Sequence, residues 1–299
     1  MTGSPQAPSP EPTSPPTALA LQPPARRRFR FRSKVGAAGF VVVLLVVGLA
    51  LLAPWVTDYG PTQLNPLQRL KAPSAEHIMG TDHLGRDIFT RVVYGGRTSL
   101  LVGALVVLNA GVLGTTLGIV AGYYPRLDNV IMRLMDGLMA FPEILLAIAL
   151  MATFPAQASS VIIVLSLVYA PRVARVARGT VLVVREQSFI EAARAIGCTD
   201  LRIMWKHVQP NCLGPLNVQL TFIFAYAVLA ESALSFIGVG PPPEYPTWGN
   251  ILSEGRRFFN VAPWMTFFPG AAIMLAVLGL NLLGDSLRDM LDPRLRGTV

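Results

Sequence analysis

Four side chains that can bind a metal ion crowd into one short polar stretch of the sequence, EHIMGTDHLGRD. They are His77, Asp82, His83 and Asp87. Imidazole nitrogens and carboxylate oxygens are ligands of zinc and related ions, so the cluster could form a metal site. The same stretch also fits a tight turn in which Asp82 forms an ion pair with Arg86, four residues later. The residue types alone leave both interpretations open.

One carboxylate, Glu231, stands inside a long apolar stretch in the second half of the chain, close to Ser232 and Ser235. An ionisable group within a membrane-spanning segment is costly and is by default a functional candidate. The alternative is structural, a hydrogen bond between helices in the polar surroundings that the two serines provide.

Several common catalytic motifs do not occur in this sequence. Its only lysines are Lys34, Lys71 and Lys206, and none lies in G-x-x-x-x-G-K-[ST], the loop that cradles nucleotide phosphates. No histidine falls in an apolar span and no G-x-S-x-G sequence occurs, so hydrolysis within a membrane has no catalytic set. We predict that the chain is not an enzyme, has no catalytic residues and binds no cofactor of its own.

A two-part amphipathic segment, SFIEAARAIGCTDLRIMWKHVQPN, separates two apolar stretches over residues 188–211. Ser188 and Glu191 have capping-box spacing at the start of a short helix. Gly197 allows a left-handed exit from that helix. Thr199 or Asp200 can cap a second helix, LRIMWKHV. We expect Pro210 to end this second helix.

The second helix has an apolar face that needs something to pack on. Leu201, Met204, Trp205 and Val208 follow the i, i+3, i+4, i+7 spacing of one helical face. The segment could lie in the headgroup region of a membrane. It could instead dock against a cytoplasmic partner protein.

The bulk composition indicates a polytopic membrane protein. Of the 299 residues, 52% are hydrophobic and only 14% are charged, with a mean hydropathy of +0.50. Soluble domains carry about 25% charged residues. The net charge of +8 could suggest nucleic-acid binding. We predict no such binding, because the basic residues lie in short clusters beside apolar stretches.

Six apolar stretches are each close to the ~20 residues that cross a bilayer. The first is too long and begins too late for a cleaved signal peptide. Cys198 and Cys212 lack C-x-x-C spacing and are predicted to be reduced. The six spans cover approximately residues 35–53, 100–122, 131–154, 159–181, 216–237 and 264–283.

The basic residues set the orientation of these spans. With the N-terminus inside, 18 of the 25 Lys and Arg residues fall in cytoplasmic segments, in accordance with the positive-inside rule. Both termini and the amphipathic segment are then cytoplasmic. We divide the chain into a disordered, proline-rich tail with a basic flank (1–34), the first helix and an extracytoplasmic loop (35–96), a domain with the other five spans (97–286) and a cytoplasmic tail (287–299). Eight prolines within residues 1–25 support the disorder.

Several motifs in this order resemble a known family. Glu191-Ala192-Ala193, with Gly197 thirteen residues before Pro210, is similar to the EAA loop of ABC importer permeases. The chain departs mildly from that loop by having Gln209-Pro210 where Leu-Pro is more usual. Five further stretches resemble the second, C-type permease subunit of dipeptide and oligopeptide importers, which has the MetI-like type I importer fold. They are GTDHLGRDIFTRVVYGGRTSL, MDGLMAFPEILLAIAL, ESALSFIGVG, PTWGNILSEGR and NLLGDSLRDMLDPRLR.

This resemblance implies an all-α permease subunit with six transmembrane helices in the plasma membrane of a bacterium. It would form a heterodimer with a homologous permease and work with an extracytoplasmic binding protein and two P-loop ATPase subunits or domains, which bind ATP and magnesium. The residues that couple it to the ATPase would be Glu191, Ala192, Ala193, Gly197, Asp200 and Pro210.

The resemblance also bears on the polar residues outside this segment. The family pattern G-T-D-x-x-G-R-D leaves the position of His83 free, which favours the tight turn over a metal site. We therefore predict no metal ligands. Structural or pathway roles would fall to Glu231, Asp82, Arg86, Asp87 and Pro142.

Two alternatives to a peptide importer stay open. The cargo could be another small solute such as nickel or glutathione, because selection rests largely on the binding protein. A self-sufficient secondary transporter would instead need ion-coupling residues at mid-membrane and inverted repeats, and the sequence shows neither clearly.

Overall fold

A computed structural model describes residues 34–242 and 244–291, and those residues contain helices, turns and no β-strand. The predicted disorder of the proline-rich tail lies outside the described residues. The helices are α1 (Lys34–Leu51), α2 (Ala53–Val56), α3 (Ile88–Tyr123), α4 (Pro125–Met139), α5 (Glu143–Met151), α6 (Ala158–Val184), α7 (Ser188–Ala195), α8 (Asp200–Ile203), α9 (Gln209–Ile237), α10 (Trp248–Arg256) and α11 (Trp264–Leu291).

Four helical segments in this part of the chain are long and apolar enough to cross a membrane: Ile88–Tyr123, Ala158–Val184, Asp200–Ile237 and Trp264–Met290. The pair α4 and α5 would make a fifth span if its two halves are taken together. Helix α1 is apolar but shorter, over Val35–Leu51. The all-α membrane fold is therefore confirmed, and the count of six stays a prediction.

The expected third span is not one straight helix. Its two parts, α4 and α5, meet at 91°. The break falls at Pro142, which has no N–H to donate and disfavours helical backbone at Phe141 before it. Pro171, Pro215 and Pro269 lie inside continuous helices. Proline is tolerated in a membrane helix where neighbouring groups satisfy the freed carbonyls.

Helices α3 and α6 run parallel and pack closely along a stripe of glycines. Gly114 lies against Val173, Gly118 against Ala174 and Ala177, and Gly122 against Val181. Small residues allow two backbones to approach in a bilayer, where packing contacts take the place of the hydrophobic driving force. This stripe holds the centre of the fold together.

Helix α9 packs on the other side of α3, and α11 packs against both α9 and α1. Phe224 and Val228 of α9 cover Gly103 of α3. Gly279 of α11 lies against Val42 and Val43 of α1. Buried apolar side chains from α3, α6 and α9 form one core. Phe224 and Val228 belong to a second cluster, which also includes residues of α10 and α11.

Two segments outside the long helices are structured. Residues 57–87 form a loop with a single 3₁₀ turn, Pro66–Gln68, and an isolated bridge between Thr81 and Asp87. The loop after α9 leads into α10, where the Thr247 hydroxyl accepts the Asn250 amide at 3.1 Å. The connection between the last two spans therefore contains a short capped helix.

Substituting Gly118 by Ala should destabilise the protein, because the added Cβ would lie 2.4 Å from the Ala174 carbonyl oxygen and 2.6 Å from Ala177 Cβ. Overpacking of this kind costs about 1–3 kcal/mol. The matched control is Gly179→Ala on α6, where a Cβ meets nothing within 4 Å. Thermal melting of the detergent-solubilised protein should show a lower midpoint for Gly118→Ala alone. Equal midpoints for the two variants would contradict the close α3–α6 packing.

Candidate functional site

The amphipathic segment folds as two short helical pieces joined at Gly197. Helix α7 ends where the Gly197 amide donates to the Arg194 carbonyl at 2.9 Å and the Cys198 amide donates to the Ala193 carbonyl at 3.0 Å. Gly197 has φ +82°, so the predicted left-handed conformation is confirmed. Because L side chains rarely adopt this conformation, glycine sets the angle between the two pieces.

The predicted capping box is wrong. The N-cap of α7 is Gln187, which is extended at φ −83°, ψ 144° and makes no side-chain cap hydrogen bond. Ser188 is already the first helical residue, so its hydroxyl is one position too late to cap. The chain enters the helix one residue early because the Gln187 carbonyl accepts the amides of Ile190 and Glu191.

The caps predicted for the second helix are also not formed as expected. Thr199 is the N-cap of α8 but makes no side-chain cap hydrogen bond. Asp200 instead accepts a hydrogen bond from the Tyr123 hydroxyl at 2.6 Å. Its carboxylate is thus engaged with α3 and not with its own helix.

Pro210 does not end the second helix, contrary to expectation. Helix α8 continues through a π-helical turn, Met204–Val208, into α9. In that turn the Gln209 amide donates to the Met204 carbonyl, an i to i−5 bond. Pro210 then stands in the first turn of α9, where its missing N–H is tolerated. The second piece of the segment is therefore continuous with a membrane-spanning helix.

The predicted apolar face of the second helix is divided between core and surface. Met204 and Val208 are buried, whereas Leu201 is 62% and Trp205 53% exposed. Phe189 and Ile196 of the first piece are also exposed. Among the predicted coupling residues, Ala193 is buried, and the others are exposed: Glu191, Ala192, Gly197, Asp200 and Pro210.

Polar contacts that we did not predict from the sequence hold the segment against the end of α3. Besides the Tyr123–Asp200 hydrogen bond, the Arg194 guanidinium lies 5.6 Å from the Tyr123 ring centroid. Arg185, just before the segment, donates to the Gly122 carbonyl at 2.9 Å. The sequence feature that could have indicated a contact here is the pair of adjacent tyrosines, Tyr123 and Tyr124, at the end of an apolar stretch.

The polar stretch after the first helix forms a buried ion cluster. The Asp82 carboxylate accepts hydrogen bonds from Arg86 Nε at 2.5 Å and from Arg91 Nη1 at 2.8 Å. Glu254 of α10 accepts hydrogen bonds from the same two guanidiniums, at 2.5 Å from Arg86 and 2.6 Å from Arg91. The predicted Asp82–Arg86 pair is confirmed. The sequence reading did not single out Arg91 and Glu254, which tie α10 to the start of α3.

Asp87 holds the start of α3 in a different way. Its Oδ1 accepts the Thr90 amide at 2.7 Å, which makes Asp87 the side-chain N-cap of α3. Its Oδ2 lies 2.9 Å from Nδ1 of the buried His77. A carboxylate at the N-terminus of a helix also interacts favourably with the helix dipole.

Two of the three residues that could bind a metal in this region, Asp82 and Glu254, already have partners. Asp82, His83 and Glu254 bring one ligand atom each to within 4.8 Å of one another. Both carboxylates, however, are occupied by two guanidiniums, which an incoming cation would have to displace. His83 stacks on Phe258 at 5.1 Å between ring centroids, and burial lowers the pKa of its imidazole.

Glu231 is fully buried in α9. Its carboxylate accepts the Ser235 hydroxyl of the same helix at 2.7 Å. The hydroxyls of Ser99 on α3 and Thr247 ahead of α10 also lie within its hydrogen-bonding reach. These partners link three elements, which supports the structural interpretation of Glu231.

Charged side chains of α6 pair with α4 and α5, and this arrangement was missed as well. Arg172, Arg175 and Arg178 form ion pairs with Glu143, Asp136 and Asp128. Glu143 directly follows Pro142 at the break between α4 and α5. Arginines inside a stretch assigned to the membrane were the signal that could have revealed these pairs.

Comparison with known proteins identifies the family. Residues 114–297 match the family described as "Binding-protein-dependent transport system inner membrane component", and residues 24–73 match the "N-terminal TM domain of oligopeptide transport permease C". A putative peptide transport system permease protein of Brucella abortus is 49% identical over 272 residues, 91% of each chain. The dipeptide transport system permease protein DppC of Alkalihalophilus pseudofirmus is 44% identical over 294 residues, 96% of each chain.

Other matches widen the range of named cargo and confirm the fold. A glutathione transport system permease protein, GsiD of Escherichia coli, is 41% identical over 273 residues, covering 91% of this chain and 90% of that one. An inward-facing structure of the MetNI methionine ABC transporter aligns with a TM-score of 0.56 at 19% identity, over 68% of this chain and 96% of that one. The MetI-like fold predicted from the motifs is therefore confirmed. This chain belongs to the family of inner membrane components of binding-protein-dependent transport systems, the multi-pass permeases of ABC importers.

Proposed function

We propose that this chain is a permease subunit of an ATP-driven importer of di- or oligopeptides and contributes part of the translocation pathway. Two relatives named as peptide and dipeptide permeases match over at least 91% of the chain at 44–49% identity. Glutathione, itself a small peptide, is the second candidate cargo, because relatives named for it are 40–41% identical.

The coupling role of the 188–211 segment rests on one observation, its unbroken connection to a spanning helix. Helix α8, the π turn and α9 form one helical segment, Asp200–Ile237. A rigid-body displacement of the exposed surface around Leu201 and Trp205 is therefore transmitted directly along α9. Transmission of a two-state motion through a rigid element is an established form of switching.

The partners follow from what this chain lacks and what it exposes. Without a phosphate-cradling loop it must receive the energy of ATP hydrolysis through contact with two P-loop ATPase subunits or domains, which bind ATP and magnesium. Its exposed apolar segment is suited to such a contact. A homologous permease would complete the membrane pathway as a heterodimer, and an extracytoplasmic binding protein would deliver the peptide.

We further propose six spans with both termini in the cytoplasm. Helix α1 would be the first, since it packs along α11, and the bent pair α4–α5 would be the third. Arg172, Arg175 and Arg178 lie within α6. Without these three, the cytoplasmic segments still hold 15 basic residues against seven outside, which supports this orientation. The ATPase-facing segment and the ion cluster of the 57–87 loop would then lie on opposite sides of the membrane.

Cargo is tested by uptake in a strain whose copy of this gene is deleted. Uptake of a radiolabelled dipeptide should fall to background and return with the wild-type gene. A parallel assay with labelled glutathione separates the two candidate substrates. If the deletion strain takes up the dipeptide at the wild-type rate, the peptide cargo is refuted.

Orientation is tested with the native cysteines. Cys198 is partly exposed, whereas Cys212 is fully buried, so only Cys198 should react with a thiol reagent. A membrane-impermeant maleimide should leave it unmodified in intact spheroplasts and modify it after permeabilisation. The Cys198→Ser variant is the control for background labelling. Modification of Cys198 in intact spheroplasts would reverse the proposed topology.

The coupling role is tested at Gly197. Gly197→Val forces a β-branched residue to φ +82°, although its Cβ meets nothing within 4 Å, so the effect is one of backbone geometry. The strain of about 1–2 kcal/mol should re-aim α7 relative to α8 and reduce co-purification of the ATPase and peptide uptake together. The matched control is Gly214→Val, which also adds its Cβ to open space but without a positive φ. Wild-type co-purification and uptake in Gly197→Val would exclude this segment as the coupling element.

A further inference from the structure

Three ion pairs form a ladder between α6 and the α4–α5 pair. Arg178 donates to both carboxylate oxygens of Asp128, at 2.5 and 2.6 Å, and Arg175 donates to Asp136 at 2.7 Å. The third pair, Arg172–Glu143, joins α6 to the first residue of α5. The three arginines are spaced three residues apart, about one helical turn each.

The Arg172–Glu143 pair lies deep in the membrane. Arg172 precedes Val173, which packs against Gly114 of α3. Gly114 stands eight residues before the end of the uncharged stretch 100–122, about 12 Å along a stretch of about 34 Å. By contrast, Arg178 is level with the end of that stretch, because a Cβ at Gly122 would lie 3.1 Å from its carbonyl oxygen.

Both side chains of this pair, Arg172 and Glu143, are partly exposed. The side chains of Arg172 and Glu143 are each 33% exposed. Charged groups at such a depth are costly towards lipid and almost always face the interior of a bundle or a water-filled cavity. The exposed edge of the pair therefore indicates the side of the fold that is turned away from lipid.

The surroundings of the pair fit a small zwitterion. The Arg172 guanidinium lies 5.3 Å from the ring centroid of Tyr226 on α9, and Tyr226 is 43% exposed. Tyr169 donates from its hydroxyl to the Tyr226 carbonyl at 3.4 Å and fastens α6 to α9 there. Glu143 begins the second half of a broken helix, and broken helices commonly form transport sites near the midplane.

We propose that Arg172 and Glu143 form a receiving site for the charged ends of the transported peptide, with Arg172 binding its α-carboxylate and Glu143 its α-ammonium group. This inference rests on the proposed peptide cargo. A guanidinium binds a carboxylate through two parallel hydrogen bonds, and this favours Arg172 for the C-terminal end.

An ion pair suits this task because its members can exchange partners. When the peptide arrives, each charge of the pair leaves its neighbour for an opposite charge on the peptide. Neither charge is left unpaired at mid-membrane, which would be the costly outcome. When the peptide leaves, Arg172 and Glu143 pair again.

The experiment separates a binding pair from a merely structural one by exchanging its charges. In the strain that carries the complete transporter, the gene is replaced by Arg172→Gln, by Glu143→Gln, and by the double variant Arg172→Glu with Glu143→Arg. Uptake of radiolabelled dialanine is measured together with the amount of assembled permease–ATPase complex. Arg175→Gln, on the most exposed pair of the ladder, is the control.

Each single variant should lower dialanine uptake at least tenfold while the complex still assembles, and Arg175→Gln should change it less than twofold. The exchanged pair can still attract itself, yet uptake should stay low because the charges now face the wrong ends of the peptide. Full uptake in the exchanged pair would assign it a structural or subunit-contact role and overturn the proposal. An equal loss in Arg175→Gln would show a general need for charge and overturn it as well. Failure of the wild type to import dialanine would instead refute the peptide cargo.

Discussion

A bilayer cannot solvate a charge, and this constraint organises most of the polar structure of the chain. Glu231, inside α9, is buried among hydroxyls. The arginines of α6 each meet a carboxylate from the α4–α5 pair. Charged groups that have a partner and are buried stabilise the contact between the helices that carry them. The pair that is deep and still open, Arg172–Glu143, is therefore the one for which we propose a role in transport.

Close packing of glycines supplies the frame on which these charges depend. The stripe on α3 brings α6 close enough for the Arg185 side chain to reach the Gly122 carbonyl. The same closeness fixes the depth of the α6 arginines relative to the apolar stretch of α3. A methyl group at Gly118 would separate the two backbones and so would disturb both the packing and the placement of the charges.

The family membership suggests how the 188–211 segment and the membrane helices work together. A permease of an ABC importer must respond to events outside the membrane, and the 188–211 segment offers an exposed surface joined to α9 without a break. Tyr123 and Asp200 fasten the same segment to α3. In the coupling that we propose, a displacement at the surface would be passed to two helices that also contact α6, where the deep ion pair stands.

The sequence by itself determined the membrane class, the order of the apolar stretches, the permease family with its MetI-like fold, the left-handed glycine at 197 and the Asp82–Arg86 pair. Each depends on local spacing or composition, which a chain displays without folding. The tertiary structure decided the rest. The N-cap of α7 is Gln187, and α8 continues into α9 past Pro210. The Asp200 carboxylate binds the Tyr123 hydroxyl. In each case neighbouring turns and helices offered other partners for the same backbone and side-chain groups. Glu254 reaches Arg86 and Arg91 across more than 160 residues of chain, and no local pattern encodes such a contact. Only packing between α5, α6 and α9 brought Glu143, Arg172 and Tyr226 to one place.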